Sequence, residues 1–173
     1  EWVAMSKRSI ATIAPRFNAI RMVDEYVQKF YAPAARQGRR LAADDYAPAR
    51  ALADWKSAVH VAWPGVRLRR LATPTGRVQF GHPVRIEVAI QLNGMKPQDV
   101  TVQAHVLRSE PDHLENRPHL FQLEFNGTME NGESCFATDL NLEQCGRMEY
   151  RIRAYPFHPL LTHPFELGLM AWL

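Results

Sequence analysis

The sequence is poor in the residues that covalent and metal chemistry use. Among 173 residues there are two cysteines, Cys135 and Cys145, and neither sits in a CxxC pair or a nucleophile-elbow context, so a catalytic thiol is not expected. A cross-strand disulfide between them is geometrically open, but buried free thiols in a reducing cytosol are the simpler reading. No run approaches the roughly 18 apolar residues a membrane span requires, and the N-terminus lacks a signal-peptide layout. Secretion and insertion are therefore not expected, and a cytoplasmic location is. The sequon Asn126-Gly127-Thr128 then has no use. There is no internal repeat, no glycine-rich phosphate loop after a strand, and no HExxH or zinc-finger spacing.

What is present is ordinary for a folded chain: 46% hydrophobic and 23% charged residues. The net charge of +3 hides a split, because residues 1–70 carry 13 Lys and Arg against 6 Asp and Glu, whereas residues 71–173 carry 8 against 12. The basic residues are interleaved with Asp24, Glu25, Asp44, Asp45 and Asp54 rather than clustered. That pattern reads as a solvated or interdomain helical surface rather than as a nucleic-acid arm.

The hydrophobic period changes from helical to alternating near Pro64, dividing the chain into a helical segment, 1–63, and a β domain, 64–173. A helix over 2–13 is ended by Pro15. Asn18 caps the next, in which Met22, Val23, Tyr26, Val27, Phe30 and Tyr31 form one stripe expected to be buried, with Glu25 and Lys29 paired on its flank. Residues 37–40 read as a loop, and Asp44-Asp45 opens a further helix to about Val61, with Pro48 tolerated in its first turn. Beyond Trp63-Pro64-Gly65, strands are expected at 66–71, 77–81, 84–92, 100–106, 119–126, 134–140, 147–154 and 167–172. Eight short strands with turns at Asn93-Gly94 and Asn131-Gly132 predict an antiparallel β-sandwich of immunoglobulin type, so the class is α+β; an open barrel fits less well.

Candidate site residues are few. His113, His119, His158 and His163 share the β half, but three of them adjoin prolines and read as turn histidines; Glu110, Asp112 and Glu115 occupy a polar loop. No catalytic, cofactor-binding or metal-ligating residue is assigned. Trp55 and Trp63 are the candidate carbohydrate contacts, with packing between helix and sheet as the blander alternative. Trp172 is expected in the core, as are Phe121, Leu123 and Phe125, and Arg67, Arg69 and Arg70 form a basic patch suited to an acidic neighbouring domain.

At the N-terminal end, Lys7-Arg8-Ser9-Ile10-Ala11-Thr12, then Pro15-Arg16-Phe17-Asn18 and Arg21-Met22-Val23-Asp24-Glu25-Tyr26-Val27, resemble the last stretch of the catalytic region of the α-glucan phosphorylases. Phe17, Arg21, Val23, Glu25, Tyr26 and Phe30-Tyr31 occupy corresponding places, Asn18 replaces a capping Ser, and Ile20 stands where the family usually has Asp. That departure fits the shorter, divergent bacterial and archaeal branch, as do His158-Pro159-Leu160-Leu161 and Glu166-Leu167-Gly168-Leu169. The resemblance is specific over residues 2–35, weaker over the last twenty, and architectural between.

It implies helices that end a GT-B catalytic region, followed by a non-catalytic β-sandwich that braces it. The parent enzyme would phosphorolyse α-1,4-glucan to glucose 1-phosphate with pyridoxal phosphate, whose lysine and phosphate-binding residues would all precede this chain. Starting at Glu1 within a helical pattern, the chain is expected to be a piece of that longer polypeptide. Its partners would be the preceding catalytic domain and, alternatively, α-glucan or a second copy in a homo-oligomer, but not nucleic acid or membrane.

Overall fold

The computed structural model describes residues 1–72, 78, 81–109, 118–141 and 146–173. The chain is α+β, helices first and an antiparallel sheet after, and it divides into two compact units, Glu1–Leu52 and Ala53–Leu173.

In the first unit, α1 (Trp2–Ile13) stops ahead of Pro15, and α2 (Ala19–Tyr26) begins where the Asn18 side chain accepts the Arg21 amide at 2.8 Å. Glu25 pairs with both Arg21 and Lys29, one turn to either side. A π-helical turn, Val27–Tyr31, leads into α3 (Ala32–Ala62). Residues 37–40, expected as a loop, are helical, because only Gly38 opposes helix there among Ala, Arg and Gln. The break falls later, where Asp44, Asp45 and Tyr46 have φ of 47°, 52° and 63°. Aspartate tolerates this left-handed region better than most residues, and the helix resumes beyond it with Pro48 in its first turn. The stripe expected to be buried lies open: Met22, Val23, Tyr26, Val27, Phe30 and Tyr31 are 44–62% exposed. Helical spacing aligns these side chains on one face, with Tyr26 edge-on to Phe30 at 6.0 Å, but burial requires a second surface.

The second unit is built on seven strands: β1 (Arg67–Ala72), β2 (Val84–Gln91), β3 (Val100–Arg108), β4 (His119–Thr128), β5 (Ser134–Leu140), β6 (Met148–Pro156) and β7 (Ala171–Trp172). Their order is β1-β2-β5-β4-β3-β6-β7, antiparallel throughout. The sheet curls because β4 changes partner along its length. His119–Leu123 pairs with β3, while Glu124, Phe125 and Thr128 pair with β5 across a bulge. The far edges approach each other, with the Arg70 guanidinium of β1 5.2 Å from the Tyr150 ring of β6. Period-two alternation turns Ile86, Val88 and Ile90 of β2, Val102 and Ala104 of β3, and Ile152 of β6 into one core.

Several details depart from the sequence reading. At the expected Asn93-Gly94 turn the chain passes between β2 and β3, which do not pair with each other. There Asn93 Nδ2 donates to Ala62 O at 2.8 Å, and a Cβ on Gly65 would stand 2.3 Å from that nitrogen, so glycine is needed for the close approach. The strand expected at 167–172 shrinks to β7, since Pro159, Pro164 and Gly168 (φ +67°) favour turns. Trp172, expected in the core, points outward and is 52% exposed. Of the strand expected at 77–81 only Val78 and Gly81 are described, and neither is in a strand; His113, Cys145, Glu110, Asp112 and Glu115 lie outside the described residues.

Candidate functional site

Trp55 and Trp63 are both placed as packing residues. Trp63 is 8% exposed and belongs to the core with Val59 and Val66. Trp55 is half-buried: its indole N–H donates to Asp99 Oδ1 at 3.0 Å, and its ring lies 4.9 Å from that of His158. Asp99 also accepts the Lys96 amide at Oδ2 and the Phe157 amide at its carbonyl, so one residue fastens helix, turn and strand together. Lys56 pairs with Glu166, which holds that carboxyl below its ordinary pKa range. The turns of α3 from Ala53 onward are thus integral to the β unit. A sugar could stack on Trp63 only if the ring left the core.

A concave site forms instead where β4 leaves β3. The divergence opens a cleft of about 710 Å³, floored by the buried Val102, Leu123 and Phe136. Phe125 and Phe157, 47% and 46% exposed, lie along it. Phe125 has the strand parity of the core residues Phe121 and Leu123, but β4 has by then moved to β5. Its ring therefore meets Phe136 edge-on at 5.8 Å with one side in solvent. Gln98, Thr101, Gln122, Glu124 and Thr128 are among the residues that border the cleft. The sequence missed this cleft because its walls come from three separate strands and a turn. The signal available was Asn126-Gly127, which falls in the bulge between Phe125 and Thr128.

Elsewhere, several polar groups are engaged within the unit. Arg153 lies 5.0–5.8 Å from the rings of Tyr155, Phe165 and Trp172, and Gln103 Oε1 accepts from its Nε and Nη2. Beside it, His105 is edge-on to Trp172, and its Nε2 is buried with no hydrogen-bond partner among the described residues. Burial, with the Arg153 charge, lowers its pKa. The expected basic patch is used locally: Arg67 donates to Pro64 O and Val66 O, Arg69 pairs with Glu133, and Arg70 covers Tyr150. Burial and the Glu87 charge push the Cys135 thiol up, which disfavours the reactive thiolate. His158 and His163 each accept a nearby loop amide at Nδ1, and no metal-binding cluster occurs among the described residues.

The four lysines do not make a site for pyridoxal phosphate. Lys29 and Lys56 are ion-paired, and Lys7 and Lys96 are exposed. No helix is long and apolar enough to cross a membrane among the described residues.

The architecture is a helical lead followed by a curled antiparallel sheet with an open cleft. Residues 63–173 match the family model of the glycogen phosphorylase C-terminal domain, and the chain belongs to that family. It is 33% identical over 172 residues to the glycogen phosphorylases of Mycobacterium tuberculosis and Mycobacterium bovis, covering 98% of this chain. It is 32% identical over 176 residues to the maltodextrin phosphorylase of Thermococcus litoralis, covering 99% of this chain. The chain spans about a fifth of the length of these relatives, 20% in each case. No solved structure matches significantly.

Proposed function

We propose that the chain is the non-catalytic C-terminal part of an α-glucan phosphorylase, and that it braces the catalytic region of the same polypeptide. The observation that carries this is the family match over residues 63–173, extended by similarity along the whole chain to phosphorylases named for glycogen and for maltodextrin. The parent would convert α-1,4-glucan and phosphate to glucose 1-phosphate, with pyridoxal phosphate held upstream of Glu1. The helices of residues 1–63 would complete a GT-B catalytic region. The open apolar stripe of α2 and the π-helical turn supports this, because such a face is stabilised when a neighbour covers it. Residues 64–173 would form the accessory domain, read as an immunoglobulin-like sandwich. Its support is the strand order, in which β1-β2-β5-β4 and β3-β6-β7 correspond to the ABED and CFG sheets of that fold. A cytoplasmic location follows from the same reading.

The purified chain, incubated with glycogen, phosphate and pyridoxal phosphate, should release no glucose 1-phosphate, and release would overturn the non-catalytic role. Deleting residues 64–173 from the longer polypeptide should lower its melting temperature and activity together; unchanged stability would remove the brace.

A further inference from the structure

Residues 157–173 leave β6 as a strap and return to it as β7, and histidines stand at both of its turns and under its end. His158-Pro159-Leu160-Leu161 and His163-Pro164-Phe165-Glu166 fold in the same way. In each, the histidine carbonyl accepts the amide three residues on, from Leu161 at 3.0 Å and from Glu166 at 3.1 Å, across a turn that the proline favours. In each, the histidine Nδ1 also accepts the amide two residues on, from Leu160 at 3.2 Å and from Phe165 at 3.1 Å. An imidazole accepts at Nδ1 only while that nitrogen carries no hydrogen, so both turns use the neutral ring, protonated at Nε2. The third histidine, His105, is edge-on to Trp172 at 5.2 Å, and its buried Nε2 has no hydrogen-bond partner among the described residues.

The strap fastens helix to sheet. The His158 ring lies 4.9 Å from that of Trp55, Glu166 pairs with Lys56 and accepts the Thr162 amide at 2.9 Å, and Phe165 meets Tyr155 edge-on at 5.0 Å. At its end, Ala171 and Trp172 pair with Ala154 and Arg153, and Leu173 exchanges two backbone bonds with Ile152. The charged groups around the imidazoles act in opposite directions. Glu166, which also accepts the His163 amide, and Asp99, bound to the indole that His158 touches, favour imidazolium, and Lys56 offsets them. At His105 the cross-strand Arg151 and the neighbouring Arg153 oppose it; β4 sets the uncharged Leu120 opposite, and Glu149, opposite Leu107, accepts from Ser109.

We propose that residues 157–173 are a pH-sensitive strap, held closed on α3 and β6 by neutral His158, His163 and His105 and opened by their protonation while the sheet core stays folded. A proton taken from solvent at either Nδ1 faces an amide hydrogen in place of a lone pair. At His105 it sets a second cation beside Arg153. After opening, α3 keeps its Trp55–Asp99 bond and the core residues Val59 and Trp63, so the join loosens without coming apart.

The test is amide hydrogen exchange of the 173-residue chain at about pH 7.5 and about pH 5.5, on either side of ordinary histidine titration, read as protection factors so that the intrinsic pH dependence cancels. Glu166, whose carboxyl Lys56 holds below its ordinary pKa range, stays ionised across this interval. Protection over 157–173 should fall about tenfold or more at the lower pH, while that of Val84–Gln91 stays within about twofold. Asparagine can accept the amide two residues on without titrating, so the combined variant His105→Gln, His158→Asn and His163→Asn should keep its protection at both pH values. Unchanged protection in the wild-type chain overturns the proposal. A parallel fall in Val84–Gln91, which is global unfolding, also overturns it, as does an equal fall in the folded variant. Imidazole NMR of the wild-type chain tests the strap without any variant: the His158 and His163 ring signals should titrate with the same midpoints as the amide shifts of Leu160 and Phe165, and separate midpoints overturn the proposal.

Discussion

Both units carry a regular apolar face and treat it differently. In Glu1–Leu52 the most regular apolar face, from Met22 to Tyr31, is about half exposed. In Ala53–Leu173, Ile86, Ile90 and Ile152 are completely buried. A helix satisfies its backbone internally, so its hydrogen-bond pattern does not depend on what covers its apolar face. A strand needs partners for its backbone, and the pairing that supplies them also assembles a core.

That contrast is sharpest at the boundary. A chain beginning at Ala53 should melt like the β unit within the full chain, whereas one beginning at residue 64 loses Trp55, Val59 and Trp63 and should fail to fold cooperatively. Equal melting temperatures by circular dichroism would contradict the place given to those helical turns. Next in size, Ile152→Ala should cost about 2–5 kcal/mol in urea denaturation followed by a probe in the β unit. Phe30→Ala should change that transition by less than about 0.5 kcal/mol; comparable losses would erase the distinction between open and closed faces.

Trp55→Phe keeps an aromatic ring but removes the donor to the Asp99 carboxylate, so a loss of about 1.5 kcal/mol is expected in the same urea denaturation. A smaller effect depends on pH. The His105 imidazole has a lowered pKa in the fold, so the unfolded chain takes up the proton first as pH falls. Stability should be intact above the unfolded histidine value near 6.5 and decline as pH drops through and below it. His105→Gln should shrink the difference in melting temperature between pH 7 and pH 5; an unchanged difference would assign the acid sensitivity elsewhere. Tyr46→Gly relieves a left-handed backbone and should raise local stability by about 1 kcal/mol or less, read by hydrogen exchange around residues 43–48.

Local chemistry was legible in the sequence where local chemistry decides. Asn18 as a cap, Glu25 against Lys29, the stop before Pro15, and the alternation of β2 and β3 follow from interactions within a few residues. The loop expected at 37–40 was misplaced because Gly38 alone is a weak signal, whereas Asp44-Asp45 tolerates the break. The candidate site was legible only in part. Aromatic residues drew notice to Trp55 and Trp63, but whether a ring stacks on a ligand or fills a core depends on what lies opposite it.

The sequence by itself determined the helical and strand periods, the change between them near Pro64 and the kinship with glucan phosphorylases, because each resides in residue order. Only the tertiary structure decided that Trp63 is interior and Trp172 exterior, and that Phe125 lies at an opening. Those outcomes depend on β4 leaving β3 for β5, a choice of partner between strands distant in the chain, which no local pattern encodes.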